Sequence, residues 1–543
     1  MKRRHVIAAA AFVAVTAAAA LAPVLDNGFI GVDDDHRIFE NPVLARPLAG
    51  ESVAWAFSAE AGRIYVQPVT WLAFQADAAA FGIDPRAFHA ASLAAHLFAA
   101  VLLLLLLLRL GGALGPSLAA ATLWAAHPLA VEPVAWAVER NALLATVLAL
   151  LALHAYVAYA RRPGAGRYVL VVGLFALSLL AKPWLFGLPV AMLALDAWPL
   201  RRWPPRGAAD RARIAGRLIL EKVPLLAVGA AWAVFAMHAM ESGAAALAWT
   251  VAPRPLALRL AHAPVAIVRY LGKLVAPVAL AIDHPFPDRV PAWQAAAALA
   301  VVLALTFVAV RLRHRAPALL TGWLWFLALI APTLGVVQAG KWPAIAERFA
   351  YLPMAGLVAG ALFAAAPLLA GRRASTRVAA GAVVLAAAAA VVASRAQARL
   401  WRDTVTVLSH SDAVAPGSGM VEYNLGSELG RRGRLGEAED LLRRAVRHAD
   451  TSEAHNQLAN VLLLSGRGQE AADHYERAVA IDAERRGALQ PRPGARGAGA
   501  SERGTGAVRA VRPGRAPLAP GREAPGPGGA RALSRPAPCV AGA

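Results

Sequence analysis

Charge and cysteine are scarce in this chain: 16% of its 543 residues are Asp, Glu, Lys or Arg, and Cys539 is its single thiol. One cysteine excludes an intramolecular disulfide and a cysteine-ligated zinc site. Aromatic residues make up 7% and form no interleaved platform with basic ones, so the net charge of +21 is not read as a nucleic-acid footprint, and no nucleic-acid partner is expected. Eleven Arg against two Glu lie from Arg485 onward, and the other basic residues sit in short clusters between apolar runs. Apolar residues dominate, at 58% with a mean hydropathy of +0.50, the composition of a chain whose solvent is a bilayer.

Apolar stretches near 6–25, 88–108, 114–130, 134–160, 167–182, 184–199, 219–239, 292–310, 316–334, 351–370 and 377–394 predict about 11 membrane spans. The connections rich in Lys and Arg are Met1–Arg4, Arg109, Arg161–Arg167, Arg201–Arg217, Arg311–Arg315 and Arg372–Arg377, and they fall in every second loop. The positive-inside rule puts them in the cytoplasm. Residues 255–280 are apolar enough to span but carry Arg259, Arg269 and Lys273. Counting them as a crossing inverts every later loop, so they are read as an interfacial or re-entrant helix. The first apolar run after MKRR also fits a signal peptide; either way the next loop is outside. An odd number of crossings then leaves the C-terminal region extracytoplasmic.

Candidate chemistry gathers in the outer loops. The first, 26–86, opens with VDDDHRIFENP, in which one or two of Asp33, Asp34 and Asp35 can point into a common space. A carboxylate there can act as general base toward a hydroxyl; an acidic turn facing water is the alternative. The second loop holds His127, Glu132, Glu139 and Arg140, with Glu132 and Glu139 on one helical face if a helix begins early. Lys182 stands at a hairpin tip, where it either snorkels or binds a lipid phosphate. Glu347, Arg348 and Tyr351 open a later span, as a substrate site or a salt-bridged helix start.

The segments VDDDHRIFENP, QPVTWLAFQADAAAFGIDPRAFHAASLAAHLF, WAAHPLAVEPVAWAVERNALLATVLALLAL, LAKPWLFGLPVAMLALDAWPL, VRYLGKLVAP, GWLWFLALIAPTLGVVQ and ERFAYLP follow one another through the chain. In that order they resemble bacterial relatives of the transmembrane-and-TPR (TMTC-type) O-mannosyltransferases, of the type C glycosyltransferase (GT-C) superfamily. The resemblance covers about Asp26 to Ala483. It implies an enzyme that moves a sugar from a polyprenyl phosphate to a hydroxyl acceptor on the outer face. It also implies that Asp33 and Asp34 are catalytic, that Arg140, Lys182 and Arg348 hold the donor phosphate, and that Glu132, His127, Arg269, Lys273 and Tyr351 are further candidates. Here His36 and Arg37 follow the acids where the family continues acidic, and Phe349 replaces a tyrosine. A divalent metal on Asp33, Asp34 and Asp35 is allowed by the resemblance and not required by it.

Two repeats end the ordered pattern, YNLGSELGRRGRLGEAEDLLRRAVRHAD and NQLANVLLLSGRGQEAADHYERAVAID. Gly426 and Ala459, Gly433 and Gly466, Ala438 and Ala471, and Ala445 and Ala478 recur at a constant offset near the TPR period, which predicts helical hairpins. Residues 401–418 predict a degenerate helix pair or cap. The tail 485–543, rich in Arg, Ala, Gly and Pro, reads as disordered and as a shifted-frame translation of sequence that once held more repeats.

The expectation is thus an all-α protein: a GT-C-like membrane domain over 1–395, TPR helices over 401–484, and the tail. Expected partners are a polyprenyl-phosphate-linked sugar, a protein or glycan acceptor, membrane lipids and a TPR-bound protein or peptide, in a bacterial inner membrane. An inactive membrane-anchored TPR scaffold is the alternative. A transporter or lipid flippase is disfavoured because the ionisable groups gather at loops and not at helix breaks in mid-membrane.

Overall fold

Long runs of Ala, Leu and Val, broken by Gly, Pro and Arg, set the helices and their ends. The computed structural model describes residues 2–58, 60–61, 66–203, 208–244, 254–337, 343–369 and 373–489, and none of these lies in a β-strand. The tail expectation from residue 490 onward, and residues 340–342 of the segment before Glu347, lie outside the described residues. In chain order the helices are α1 (Arg3–Leu21), α2 (Gly50–Ala56), α3 (Pro68–Phe81), α4 (Pro85–Arg109), α5 (Leu114–Ala125), α6 (Val131–Ala135) and α7 (Arg140–Arg161). They continue with α8 (Ala165–Ala181), α9 (Leu188–Ala197), α10 (Ala208–Leu220), α11 (Val223–Ala244), α12 (Leu256–Val275), α13 (Ala292–Arg311), α14 (Pro317–Ile330), α15 (Pro353–Leu369) and α16 (Arg373–Leu400). The last five are α17 (Thr404–Val414), α18 (Gly419–Arg431), α19 (Leu435–His448), α20 (Ser452–Leu464) and α21 (Gly468–Leu489).

Six helical segments are long and apolar enough to cross a bilayer: Arg3–Asp26, Pro85–Arg109, Ala137–Arg161, Ala212–Phe235, Ala292–Arg311 and Arg373–Leu400. Helix α4 shows the local logic. The Asp84 carboxylate accepts the Ala87 amide at 3.0 Å, Pro85 begins the 25-residue helix, and past its end Gly111 turns the chain at φ +94. Its length, about 37 Å, exceeds the roughly 30 Å hydrocarbon core. The other five predicted stretches are also helical but shorter. Helix α5 has 12 residues and α9 has 10, so neither reaches across on its own.

Helix α4 packs against α1, α5 and α7, α7 pairs with α8, and α14 pairs with α15. The last pair touches backbone to backbone: a Cβ on Gly322 would lie 2.2 Å from the Gly356 carbonyl oxygen. Around the outside, α13 and α16 turn apolar side chains such as Leu303, Phe307, Leu385 and Val392 to the surroundings. Water does not favour such belts; lipid does, and six helices of crossing length are compatible with a membrane protein.

After α16 the chain forms one helix, α17, capped by the Asp403 carboxylate, so that of the helix pair or cap expected over 401–418 a single helix precedes the repeats. Asp403 takes the Thr406 amide at 2.9 Å and so starts a new helix two residues past Trp401. Helices α18 with α19, and α20 with α21, are the two repeats. Gly433 and Gly466 end the first helix of each at φ +77 and +78. Gly426 lets α18 meet α19, since a Cβ there would lie 2.8 Å from Leu442.

Candidate functional site

The loop after α1 separates its three carboxylates. Asp33 adopts φ +72, costly for a residue with a Cβ, and this turn sends successive side chains in different directions. Asp33, one-third exposed, accepts from Arg37 Nη2 at 2.8 Å, and Asp35 faces His36 Nδ1 at 2.9 Å. Asp34 is fully buried, and its two oxygens accept the Ile30 amide at 2.8 Å and the Val138 amide at 3.0 Å. Burial pushes Asp34 up to about 8, the two amides pull the other way, and the Asp33 charge adds to the rise. Asp34 therefore ties this loop to the segment leading into α7, whereas Asp33 and Asp35 are each about one-third exposed.

That segment is broken where one early helix was considered. Glu132 lies in α6, Trp136 is extended at ψ 114, and Glu139 closes a 3-10 turn before α7 begins. Both carboxylates nevertheless reach Arg348. Its Nη1 and its backbone amide, at 2.7 Å, donate to Glu132, and its Nε lies 3.4 Å from Glu139. Lys182 turns inward to Glu139, with its ammonium 3.5 Å from the centre of the Trp184 ring. Glu347 accepts from His284 Nε2 and Lys273 Nζ, each at 2.9 Å. Burial raises the Glu347 pKa, but the His284 and Lys273 contacts outweigh it and hold the group down near about 2. Three carboxylates and three cations thus interlock, all substantially buried.

Arg140 does not join them. It pairs with Asp77 of α3, donates to Ser92 Oγ at 3.1 Å and to the Phe88 carbonyl at 2.5 Å, and lies between the rings of Phe74 and Phe88. With its donors so engaged, Arg140 works as a brace between α3, α4 and α7. His127 is likewise occupied: its Nε2–H donates to the Leu274 carbonyl at 3.0 Å and its Nδ1 accepts the Leu129 amide. Tyr351 does not share a helix face with Glu347, because residues 347–350 form a 3-10 turn. Its hydroxyl donates to His96 Nδ1 at 2.6 Å, inside the bundle beside Trp124.

Helix α12 is strongly amphipathic, and Arg259, His262, Arg269 and Lys273 recur at helical spacing along one side. Lys273 also donates to the Ala279 carbonyl at 2.8 Å. Arg269 is half-buried, feels the Glu347 charge, and has no hydrogen bond or ion pair among the described residues. One oxygen of Glu347 is also buried without a partner. Sequence reasoning missed Asp77, and it marked the outer segment IDHPFPD without assigning roles to its Asp283 and His284. Asp77 had one usable signal, a lone acid among the apolar residues of QADAAAF, which requires a buried cation.

Helix α17 and the N-cap of α18, which lead into the repeats, sit on these loops. Gly28 N donates to the Arg402 carbonyl at 2.9 Å, Gly31 N to Thr404 Oγ1 at 2.9 Å, Ile282 N to Ser411 Oγ at 3.2 Å, and Ser418 Oγ to Asp283 at 2.6 Å. A cavity of about 30 Å³, room for one water, lies beside Lys182, Trp184 and Arg348. Asp33, Asp34 and Asp35 do not converge on a common point, and no group of three or more His, Cys, Asp or Glu is poised for a metal among the described residues. The divalent ion allowed for these three residues does not fit this arrangement. No protein-family model matches the chain, and no curated protein matches it.

Proposed function

We propose that the chain is a membrane glycosyltransferase of GT-C type that moves a sugar, mannose in the nearest resemblance, from a polyprenyl phosphate to a hydroxyl acceptor. In this reading about eleven segments cross or enter a bacterial inner membrane, and the loops and a short TPR α-solenoid share the extracytoplasmic side. The observation that carries it is convergence: the acidic loop, the Glu132–Arg348–Lys182 network, the basic face of α12, and α17 with the N-cap of α18 all meet at one end of the bundle. Asp33, a carboxylate about one-third exposed, is the base toward the acceptor hydroxyl, and Asp34 is its positioning residue. Arg269, unpaired beside Glu347, stabilises the leaving phosphate, with Lys182 and Arg348 behind it. The repeats recruit the acceptor within reach of that base.

One observation favours the membrane-anchored scaffold as a second reading. Arg140, Lys182 and Arg348 are each held by a carboxylate, and the cavity beside the last two admits a water but not a hexose. Transfer therefore requires side chains there to move. The test is sugar transfer in membranes supplied with polyprenyl-phosphate sugars. Wild-type transfer, lost in Asp33→Asn and in Arg269→Gln, is expected. Full transfer by Asp33→Asn sinks its role, and no transfer by the wild type from any donor leaves the scaffold.

A further inference from the structure

A cavity of about 510 Å³ lies at the other end of α4 from Arg140, the chain neighbour of Glu139 in the charge network. Ser92 of α4 touches Arg140, whereas Leu107 lines this cavity, about 15 residues and so roughly 22 Å along the helix. Its walls are apolar, with Leu106, Leu110, Trp198, Trp325 and Phe363 prominent. Glycines make the space: Gly111, Gly112, Gly322, Gly356 and Gly360 all line it, and the α14–α15 contact through Gly322 leaves no side chain to fill it. The Thr321 hydroxyl is already spent on the Trp198 carbonyl at 3.2 Å.

One charged group stands at this cavity. Arg201 is exposed, is held at φ +51, and has no hydrogen bond or ion pair among the described residues. Its neighbour Arg202 is fully committed, to Asp196 at 3.1 Å, to Glu221 at 2.8 Å and to the Tyr156 hydroxyl at 3.0 Å. More positive charge surrounds the same end. Arg161 donates to the Arg109 carbonyl, and Arg313 and Arg315 shortly precede Ala318 of the cavity wall. An apolar slot of this volume with a free guanidinium at its edge matches an amphiphile with an apolar chain and an anionic head.

We infer that this cavity binds an anionic glycerophospholipid, one acyl chain in the slot and the phosphate on Arg201. Uncharged residues exclude a polar ligand from the interior, and Arg201, together with the basic loops, selects the net-anionic lipid over a zwitterionic one whose choline the guanidinium repels. Basic pockets between helices on the cytoplasmic side recognise such lipids by the same electrostatics. The inference rests on this end facing the cytoplasmic leaflet, and it is independent of transferase activity.

The test is native mass spectrometry of the full chain released from nanodiscs that contain phosphatidylglycerol and phosphatidylcholine with identical acyl chains. Wild type is expected to retain phosphatidylglycerol preferentially. Arg201→Gln, exposed and thus harmless to folding, should reduce that preference about tenfold, the effect of one charge-assisted contact. Ala359→Phe, which fills the slot, should abolish retention of both lipids at unchanged elution in gel filtration. An unchanged head-group preference in Arg201→Gln overturns the inference. So does undiminished retention in a folded Ala359→Phe, or a polyprenyl phosphate in place of the phospholipid.

Discussion

Removing Arg348 should destabilise the protein far more than removing the acid it pairs with. Arg348 Nη1 and its backbone amide both donate to Glu132, and its Nε faces Glu139 at 3.4 Å, with both carboxylates buried. Arg348→Met therefore strands two carboxylates and leaves Lys182 as the near cation for one of them. Breaking a buried pair from one side costs about 3–5 kcal/mol. For a cooperative unit of this size that corresponds to a fall in Tm of roughly 3–5 °C. Glu132→Gln keeps an acceptor for Arg348 and relieves the repulsion from Glu139 and Glu347, so it should cost only about 1–2 kcal/mol. The double variant should recover part of the loss, with a coupling of about 1–3 kcal/mol. Thermal unfolding of detergent-solubilised protein, followed by tryptophan fluorescence, reads all four corners of the cycle. Strict additivity, with the double variant as unstable as the two singles summed, refutes the claim that these groups share one network.

Three further outcomes follow. Asp34 carries a folded-state pKa raised from 3.8 to about 8 by burial, so its contribution to stability is full below pH 3.8 and is lost as pH rises through 8. Wild-type Tm should fall between pH 6 and 9 more steeply than that of Asp34→Asn, and parallel curves would remove the assignment. Gly356→Val should prevent α15 from packing, because a Cβ there lies 2.3 Å from the Trp325 ring; normal yield and a normal gel-filtration profile would contradict that crossing. Tyr351→Phe removes a buried hydroxyl but leaves His96 Nδ1 without its donor, and should cost about 1–3 kcal/mol in the same unfolding assay while leaving polyprenyl-phosphate binding unchanged. A selective loss of donor binding in that variant would return Tyr351 to the site.

Local signals carried much of the architecture, and long-range pairing carried the rest. Every predicted apolar stretch coincides with a helix because a run of Ala, Leu and Val fixes its own backbone hydrogen bonds whatever it packs against. Lengths were harder to read: HPLAVEP and KPWLFGLP begin new turns, so α5 ends at Ala125 and α9 starts only at Leu188. The repeat period marked α18 to α21 through its small residues, but residues 401–418 stayed open between a helix pair and a cap because Asp403 had not been seen as the start of one helix. At the site, residue types were legible and partners were not. Arg140 reads as a phosphate ligand until Asp77, 63 residues earlier, is found against it. Lys182 reads as a snorkelling tip until Glu139 takes it inward. The Asp196–Tyr156–Lys222 cluster, with Lys222 Nζ 2.7 Å from Asp196, left no local signature beyond single charges in apolar sequence.

Those single charges suggest why the two ends of the bundle differ. At the end that carries the acidic loop, each long basic side chain that the network holds has a carboxylate within reach, and α17 with the N-cap of α18 closes over the neighbouring loops. Burial there demands pairing, because an unpaired ion would lose hydration with nothing to replace it. At the opposite end Arg201, Arg313 and Arg315 have no carboxylate partner among the described residues, which is tolerable only where water or an anionic surface meets them. Pairing at that end centres on the inward groups, buried Lys222 and half-buried Arg202, which Asp196 and Glu221 hold. Arginines paired in the network hold loops together, and those left unpaired are the ones available to a phosphate. Arg269 is the exception at the acidic end, unpaired beside a carboxylate oxygen that is itself without a donor, and for that reason it is the cation there most open to a ligand.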